Sequence, residues 1–283
     1  MTDPLSPGAG APEAPGGANA PPAPPALRAR LRQGGVALGT MVFEFSSPGL
    51  PAVLATTGVD FVVYDMEHSG FGIETIKGLM AGNRGSEVVP LVRVPAAEYH
   101  FIARVLDAGA HGVMVPMVES RAQAERIVQA ARYPPVGRRG AAFGVAHDDY
   151  REGDVAEKIR QRNERTLVIA QIETEAGLMQ AEEIIGVPGL DVAWVGHFDL
   201  TLSMGIPAQF DHPRFLAAME EIVAVCRRHG VTPGVMATDV ATAARWLDQG
   251  FRALAYSGDI WLLAAALRQG VSQLEHHRRP PTP

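Results

Sequence analysis

Several ionisable side chains stand at or just past the ends of short apolar, β-like runs: Asp65, Glu67, His68 and Arg93 in the first half of the chain, then Glu173 and Asp199 far downstream. Glu173 follows Val168-Ile169-Ala170-Gln171-Ile172, and Asp199 follows Val192-Ala193-Trp194-Val195 by way of Gly196-His197-Phe198. Two carboxylates gathered at one face, with no cysteine or histidine cluster around them, suit a hard divalent cation that keeps water positions open, such as Mg²⁺ or Mn²⁺. The ordinary alternatives are an arginine ion pair for Glu173 and a helix N-cap for Asp199. Arg93 ends the run Val88-Val89-Pro90-Leu91-Val92 with a planar fork of donors. Such a fork can hold a carboxylate, or an oxygen on which negative charge develops; a structural ion pair with Asp65 or Glu67 is the competing reading. His68 is a candidate general base because an ordinary imidazole titrates near neutrality. Its other reading, a polar packing residue, is weighed against its setting, since Tyr64-Asp65-Met66-Glu67-His68-Ser69-Gly70 is dense in proton-transfer groups.

Some chemistries are excluded. Lys77 and Lys158 are the only lysines, and both fall in stretches of helical period. A Schiff-base aldolase or a pyridoxal phosphate enzyme needs a pocket lysine as nucleophile. No Gly-x-Ser-x-Gly elbow is present either. Cys226 is the single cysteine, so neither an internal disulfide nor a cysteine-based zinc site can form. A net charge of −6 with scattered arginines gives no footprint for nucleic acid. No basic-then-apolar leader opens the sequence and no apolar run approaches the roughly 20 residues a bilayer requires, so a reducing cytoplasm without membrane attachment is the expectation.

Strand ends can converge only if a fold gathers them. Apolar β-like runs at 36–42, 61–64, 88–92, 112–115, 167–172, 192–195, 232–235 and 253–256 alternate with helical patterns, for example at 98–107, 121–131, 175–185, 213–228 and 240–249. Eight βα units in one chain predict an α/β fold of the TIM (β/α)₈ barrel kind, which commonly takes about 250 residues and collects the strand C-termini into one pocket. An open doubly wound sheet competes, but no Gly-x-Gly-x-x-Gly opens a helix. Gly58, Gly109, Gly189, Gly230 and Gly250 separate helices from strands and are expected as left-handed caps. Residues 1–26 are dominated by Pro, Ala and Gly and are expected to be a disordered tail; 27–275 form the barrel, and 276–283 are expected to fray. The long segment 133–150 is expected to cover the pocket or a subunit interface. Within it, Arg138 and Arg139 could grip a distal carboxylate or simply be solvated.

Several motifs together resemble the HpcH/HpaI family of class II pyruvate aldolases: Asp65-Met66-Glu67-His68, Pro90-Leu91-Val92-Arg93, Leu106-Asp107-Ala108-Gly109-Ala110, Val115-Pro116-Met117-Val118, residues 132–140, Gln171-Ile172-Glu173-Thr174 and Gly196-His197-Phe198-Asp199-Leu200. The resemblance spans 31–274. It implies a barrel whose last helix is exchanged with a neighbouring subunit, in a homohexamer. It implies that Glu173 and Asp199 ligate a divalent metal, Mg²⁺ or Mn²⁺ and in some cases Co²⁺, that also binds the carboxylate and keto oxygens of a pyruvate unit. Arg93 would stabilise the enolate oxygen and Gln171 would hydrogen-bond nearby. His68 would take the C4 hydroxyl proton of a 4-hydroxy-2-oxo acid, directly or through water, so that the C3–C4 bond breaks to pyruvate and an aldehyde. Asp65 belongs to the same catalytic motif. Asp107 matches the residue that partners the histidine, yet it closes a helix ahead of a strand, so it is expected to act from an adjacent subunit; a cap or ion pair is its other reading.

Two departures from the family pattern stand in these motifs, and the first bears on the substrate. Gly196, His197 and Phe198 stand beside the pyruvate position where many members carry Gly-Pro-Ala, and His197 either touches the substrate carboxylate or lines the wall. Met66 replaces a small residue. The rival readings are a lyase of the citrate or malyl-CoA kind acting on a CoA thioester, and a non-catalytic oxo-acid-binding protein. A CoA site would need a basic groove, and none is evident.

Overall fold

The computed structural model describes residues 27–278. The first half runs α1 (Leu27–Arg32), β1 (Ala37–Val42), α2 (Leu50–Ala55), β2 (Phe61–Asp65), α3 (Ile73–Gly82), β3 (Val89–Arg93), α4 (Tyr99–Ala108), β4 (Gly112–Val115) and α5 (Arg121–Ala131). The second half runs α6 (Val155–Arg165), β5 (Leu167–Ile172), α7 (Glu175–Met179), α8 (Ala181–Ile185), β6 (Val192–Val195), α9 (His197–Ser203), α10 (Pro213–His229), β7 (Thr232–Ala237), α11 (Val240–Gln249), β8 (Ala253–Gly258) and α12 (Asp259–Leu274). Each strand pairs in parallel with the next, and β8 closes on β1. The expected (β/α)₈ barrel is therefore the architecture, and the open sheet is not.

Strand periodicity explains both the core and the site. Phe61, Val63, Leu91, Met114, Leu167, Ile169, Val192 and Trp194 point into the barrel, while Val62, Tyr64, Val92, Val113, Val168 and Ala170 pack outward beneath the helices. With both faces buried, each strand reads as an unbroken apolar run. Where an inward ring is large its neighbour is small: a Cβ on Gly39 would fall 2.5 Å from the Phe61 ring. The same two-residue step carries Val63 to Asp65, Leu91 to Arg93, Ile169 to Gln171 and on to Glu173, and Trp194 to Gly196. Polar groups at those positions inherit the inward direction at the mouth formed by the strand C-termini.

Several boundaries differ from expectation. Strands β2 and β3 run one residue further, through Asp65 and Arg93, which lie opposite each other in register and neutralise one another inside the sheet. The helix expected over 175–185 is two, broken at Gln180, where φ is −100° and ψ is 9°. All five glycines expected as caps have positive φ, but only Gly109, Gly230 and Gly250 cap their helices; α2 ends at Thr56 and α8 at Gly186, leaving Gly58 and Gly189 in the turns beyond. The segment 133–150 does not cover the mouth. It lies along α4, with Arg139 bonded to Asp107 and the Gly140 amide donating to the Tyr99 hydroxyl, because the fully buried Tyr133 anchors Phe143 and His147 against it. Helix α1 plugs the opposite end, adding Leu27 and Leu31 to the interior core. Residues 275–278 form a short 3₁₀ turn, while the rest of the expected tails, 1–26 and 279–283, lies outside the described residues. Among the described residues no helix is long and apolar enough to cross a membrane.

Candidate active site

At the mouth, Asp65 is a fully buried carboxylate that organises its neighbours. It accepts from Arg93 Nε at 2.6 Å and from the backbone amides of Glu67 at 3.1 Å and His68 at 2.9 Å. The turn after β2 thus folds around Asp65, which sets where Glu67 and His68 leave the strand. Nη1 of Arg93 lies 3.1 Å from Glu67 Oε2. Burial works against the Arg93 charge, but its hydrogen bond to Asp65 and the charges of Asp65, Glu67 and Glu173 outweigh it and raise its pKa further. The ion-pair reading of Arg93 is realised through Nε and Nη1, and the same side chain lines the mouth cavity.

Glu173 is 2% exposed and, among the described residues, makes no ion pair with an arginine. Its Oε1 accepts from the Met117 amide at 2.7 Å and its Oε2 from Gln171 Nε2. Burial pushes its pKa up to about 7; the bonds from Gln171 and Met117 pull the other way, and Glu67 and Asp199 add to the rise. Glu67 is likewise raised to about 7, first by burial, with Arg93 opposing and Asp65 and Asp199 reinforcing. Asp199 does not cap its helix. Helix α9 begins two residues earlier, at His197, with Gly196 as N-cap, and the Asp199 carboxylate has no hydrogen bond or ion pair among the described residues. Glu67, Glu173 and Asp199 thus feel one another's charge around a single arginine.

Gly196 makes this arrangement possible. A Cβ there would fall 2.3 Å from Glu173 Oε2 and 2.7 Å from Glu173 Cβ, so the backbone approaches the carboxylate more closely than any side chain permits. The mouth opens into a cavity of about 310 Å³ lined among others by Met41, Phe43, His68, Trp194, His197, Met236 and Trp261. His197 is a wall residue: its ring packs on Phe198 and Phe210, with centroids 4.8 and 5.2 Å away, and burial lowers its pKa to about 4 despite Asp199. A neutral imidazole offers no cation to a substrate carboxylate. Phe198 is half exposed beside it.

The remaining candidates separate. His68 lines the cavity at its rim, with Nε2 3.7 Å from Glu67 Oε2. Asp107 sits at the far end of α4 and pairs with Arg139 at 2.5 Å, so within one chain its ion-pair reading is the one realised. Arg139 is buried in that pair and does not face a substrate. Arg138 lines a separate groove between α4 and α5 with Arg126 and Tyr99.

Three features carry no mark in the sequence. Glu67 is legible as an ion-pair partner of Arg93, but its charge coupling to Glu173 and Asp199 is not. Met117 donates the amide that holds Glu173, and does so from a left-handed conformation, φ 54°, that a residue with a Cβ seldom adopts. Asp259 accepts from the amides of Phe43, Glu44 and Phe45 and pins the β1 end over the cavity. No periodicity marks any of these contacts.

The donor set fits a hard cation. Among the described residues no three His, Cys, Asp or Glu side chains form a complete metal cage, and an ion that leaves positions to water and substrate needs only one or two carboxylates. Glu173 and Asp199 supply hard oxygens; the raised pKa of Glu67 and Glu173 comes first from burial, and the further rise from neighbouring carboxylates is a repulsion that a cation would relieve.

A family model described as HpcH/HpaI aldolase/citrate lyase matches residues 40–266. A hydroxypyruvate/pyruvate aldolase of Roseovarius nubinhibens is 35% identical over 247 residues, covering 87% of this chain and 95% of that one. A 5-keto-4-deoxy-D-glucarate aldolase of Klebsiella pneumoniae is 32% identical, covering 79% and 87%. The crystal structure of an HpcH/HpaI aldolase from Desulfitobacterium hafniense matches with a TM-score of 0.85 at 29% identity, covering 91% of this chain and 99% of that one.

Proposed function

Since this chain belongs to the HpcH/HpaI aldolase/citrate lyase family, a family of aldolase-type enzymes, we propose that it reversibly cleaves a 4-hydroxy-2-oxo acid into pyruvate and an aldehyde, with a divalent cation held by Glu173 and Asp199. One observation carries the reading. Among the described residues neither Glu173 nor Asp199 has the arginine ion pair or the cap role that would otherwise account for it. When bound, the cation supplies positive charge where the electron pair of the broken bond comes to rest.

The chain's own groups divide the remaining work. Asp65 fixes the Arg93 guanidinium by its Nε edge, and the rest of the fork stabilises the oxygen on C2 as it gains negative charge. His68, at the rim, removes the C4 hydroxyl proton. As C4=O forms, the C3–C4 bond breaks and its electrons form C2=C3; a proton delivered to C3 completes pyruvate. Gln171 locks the Glu173 carboxylate, and Phe43, Trp194 and Trp261 exclude water from the reacting carbons. Pyruvate release should be followed over a panel of hydroxy-oxo acids with Mg²⁺, Mn²⁺, Co²⁺ or EDTA. Turnover should require a cation and vanish in Glu173→Gln and Asp199→Asn; full activity in EDTA would refute the assignment.

We further propose a homo-oligomer in the cytoplasm, a hexamer as the family resemblance implies, built through α12. No residue of that helix is buried in the single chain, and Trp261, Leu263, Leu267, Val271 and Leu274 all stand at least 42% exposed. Such an apolar stripe favours a protein contact over water. Light scattering of Leu267→Glu should report a smaller assembly than the parent chain. In that assembly Asp107 would reach His68 of a neighbouring copy.

A further inference from the structure

At the end of the barrel opposite the mouth, a second cleft of about 200 Å³ is lined by Arg84, Ser86, His111, Asp149, Arg162 and Arg165, among others. His111 and Arg165 stand just before the first residues of β4 and β5, which places the cleft at the foot. Three guanidinium groups there face one carboxylate, and Asp149 lies 3.7 Å from Arg84. Among the described residues Arg162 makes no hydrogen bond or ion pair through its side chain. Arg165 makes one, from Nη2 to Nδ1 of His111 at 3.2 Å. A guanidinium can only donate, so Nδ1 accepts and the ring proton resides on Nε2, which makes the neutral imidazole a further donor. Burial, then Arg165 and Arg162, lowers the His111 pKa to about 3. Burial and mutual repulsion lower Arg162, and burial lowers Arg165; Asp149 only partly offsets this.

We propose that this cleft is a second ligand site, specific for a small phosphate-type dianion. Three guanidinium charges against one carboxylate leave an excess of two, the charge of a phosphate monoester. The donors come from separate elements: Arg84 and Ser86 follow α3, His111 precedes β4, and Arg162 and Arg165 end α6. A tetrahedral anion accepts from several directions at once, whereas a single fork satisfies a carboxylate. The volume is below the roughly 300–1,000 Å³ of sites for larger ligands, which limits the occupant to inorganic phosphate or a short phosphorylated metabolite. The site does not depend on the aldolase reading, because it shares no residue with the mouth.

Inorganic phosphate titrated calorimetrically into the metal-free full chain, with sodium chloride balancing ionic strength, tests the site. Wild type should show one saturable event per chain. Arg162→Ala and Arg165→Ala should each weaken it about tenfold or more, while Glu173→Gln, at the mouth, should leave it unchanged. Succinate should bind more weakly than phosphate. Should Arg162→Ala fail to fold by circular dichroism, Arg84→Ala, at a solvent-facing position, gives the same readout. Phosphate binding that is non-saturable, or equal in wild type and the Arg162→Ala/Arg165→Ala double variant, overturns the proposal. So does succinate binding as tightly, or a change of oligomeric state in Arg162→Ala, which would assign the arginines to an interface.

Discussion

The two ends of the barrel are charge opposites. At the foot, Asp191 is one carboxylate among three arginines, with Arg28 at 2.7 Å, Arg132 at 2.8 Å and Arg32 at 3.2 Å. The surplus donors are spent on carbonyls, with Arg132 Nη1 reaching Asn163 O at 2.6 Å and Thr166 O at 2.7 Å. At the mouth, Asp65, Glu67 and Glu173 act on one arginine, Arg93, and Asp199 has no ion pair among the described residues. The foot cluster is internally satisfied and ties α1, α5 and the β6 entrance together. The mouth is left short of positive charge, which the proposed cation would supply. Satisfied charge around Asp191 therefore marks a structural tie, whereas unsatisfied charge marks a place to bind, at the mouth as in the Arg162–Arg165 cleft of the foot.

The sharpest way to break this contrast is to remove one carboxylate from each end. Asp191→Ala strands Arg132, whose side chain is 1% exposed, and should destabilise the fold by about 3–5 kcal/mol in urea unfolding. Glu173→Gln removes a buried, unpaired charge; turnover should fall about a hundredfold or more while the urea midpoint holds or rises. Equal destabilisation by both would erase the distinction. Next in size, Gly196→Ala should lower kcat/KM by about tenfold to a hundredfold as the methyl displaces the Glu173 carboxylate, with a thermal midpoint near that of the parent.

The pH dependence of the metal-free chain follows the same logic. Glu67 and Glu173 titrate near 7 when folded, above the ordinary carboxylate value of 4.5. The folded state therefore holds more protons between those limits, and the stability these groups contribute is present below about 4.5 and lost as pH rises through about 7. Melting curves from pH 5 to 8 should show that decline, and Mg²⁺ should reverse it at pH 8 by binding the folded state. The smallest effect is expected at the wall. His197→Leu should change KM by about a few-fold with little change in kcat, since a neutral, ring-packed imidazole carries no charge for the reaction to lose.

Much of this was legible beforehand. The strand runs were found to within a residue or two, and the inward step from Val63 to Asp65 or from Ile169 to Glu173 follows from alternation alone. The identity of the mouth residues was therefore readable, and so was the placement of Asp107 at the far end of α4. That residues 133–150 lie along α4 rather than over the mouth was not, because the anchoring of Tyr133 is a packing fact with no local signature. Nor was the role of Met117, since a backbone amide has no letter of its own.

Alternation of side chains along a strand is a property of neighbouring residues, so the order of letters alone determined eight strands, a closed barrel and the set of groups that could meet at its mouth. Whether a given carboxylate there already has a partner is a question about residues far apart in the chain, as with Arg28 and Asp191, separated by 163 positions. Only the folded structure decided that Asp191 is satisfied and Asp199 is not, because coulombic and hydrogen-bond energies depend on distance and burial, which the linear order does not contain.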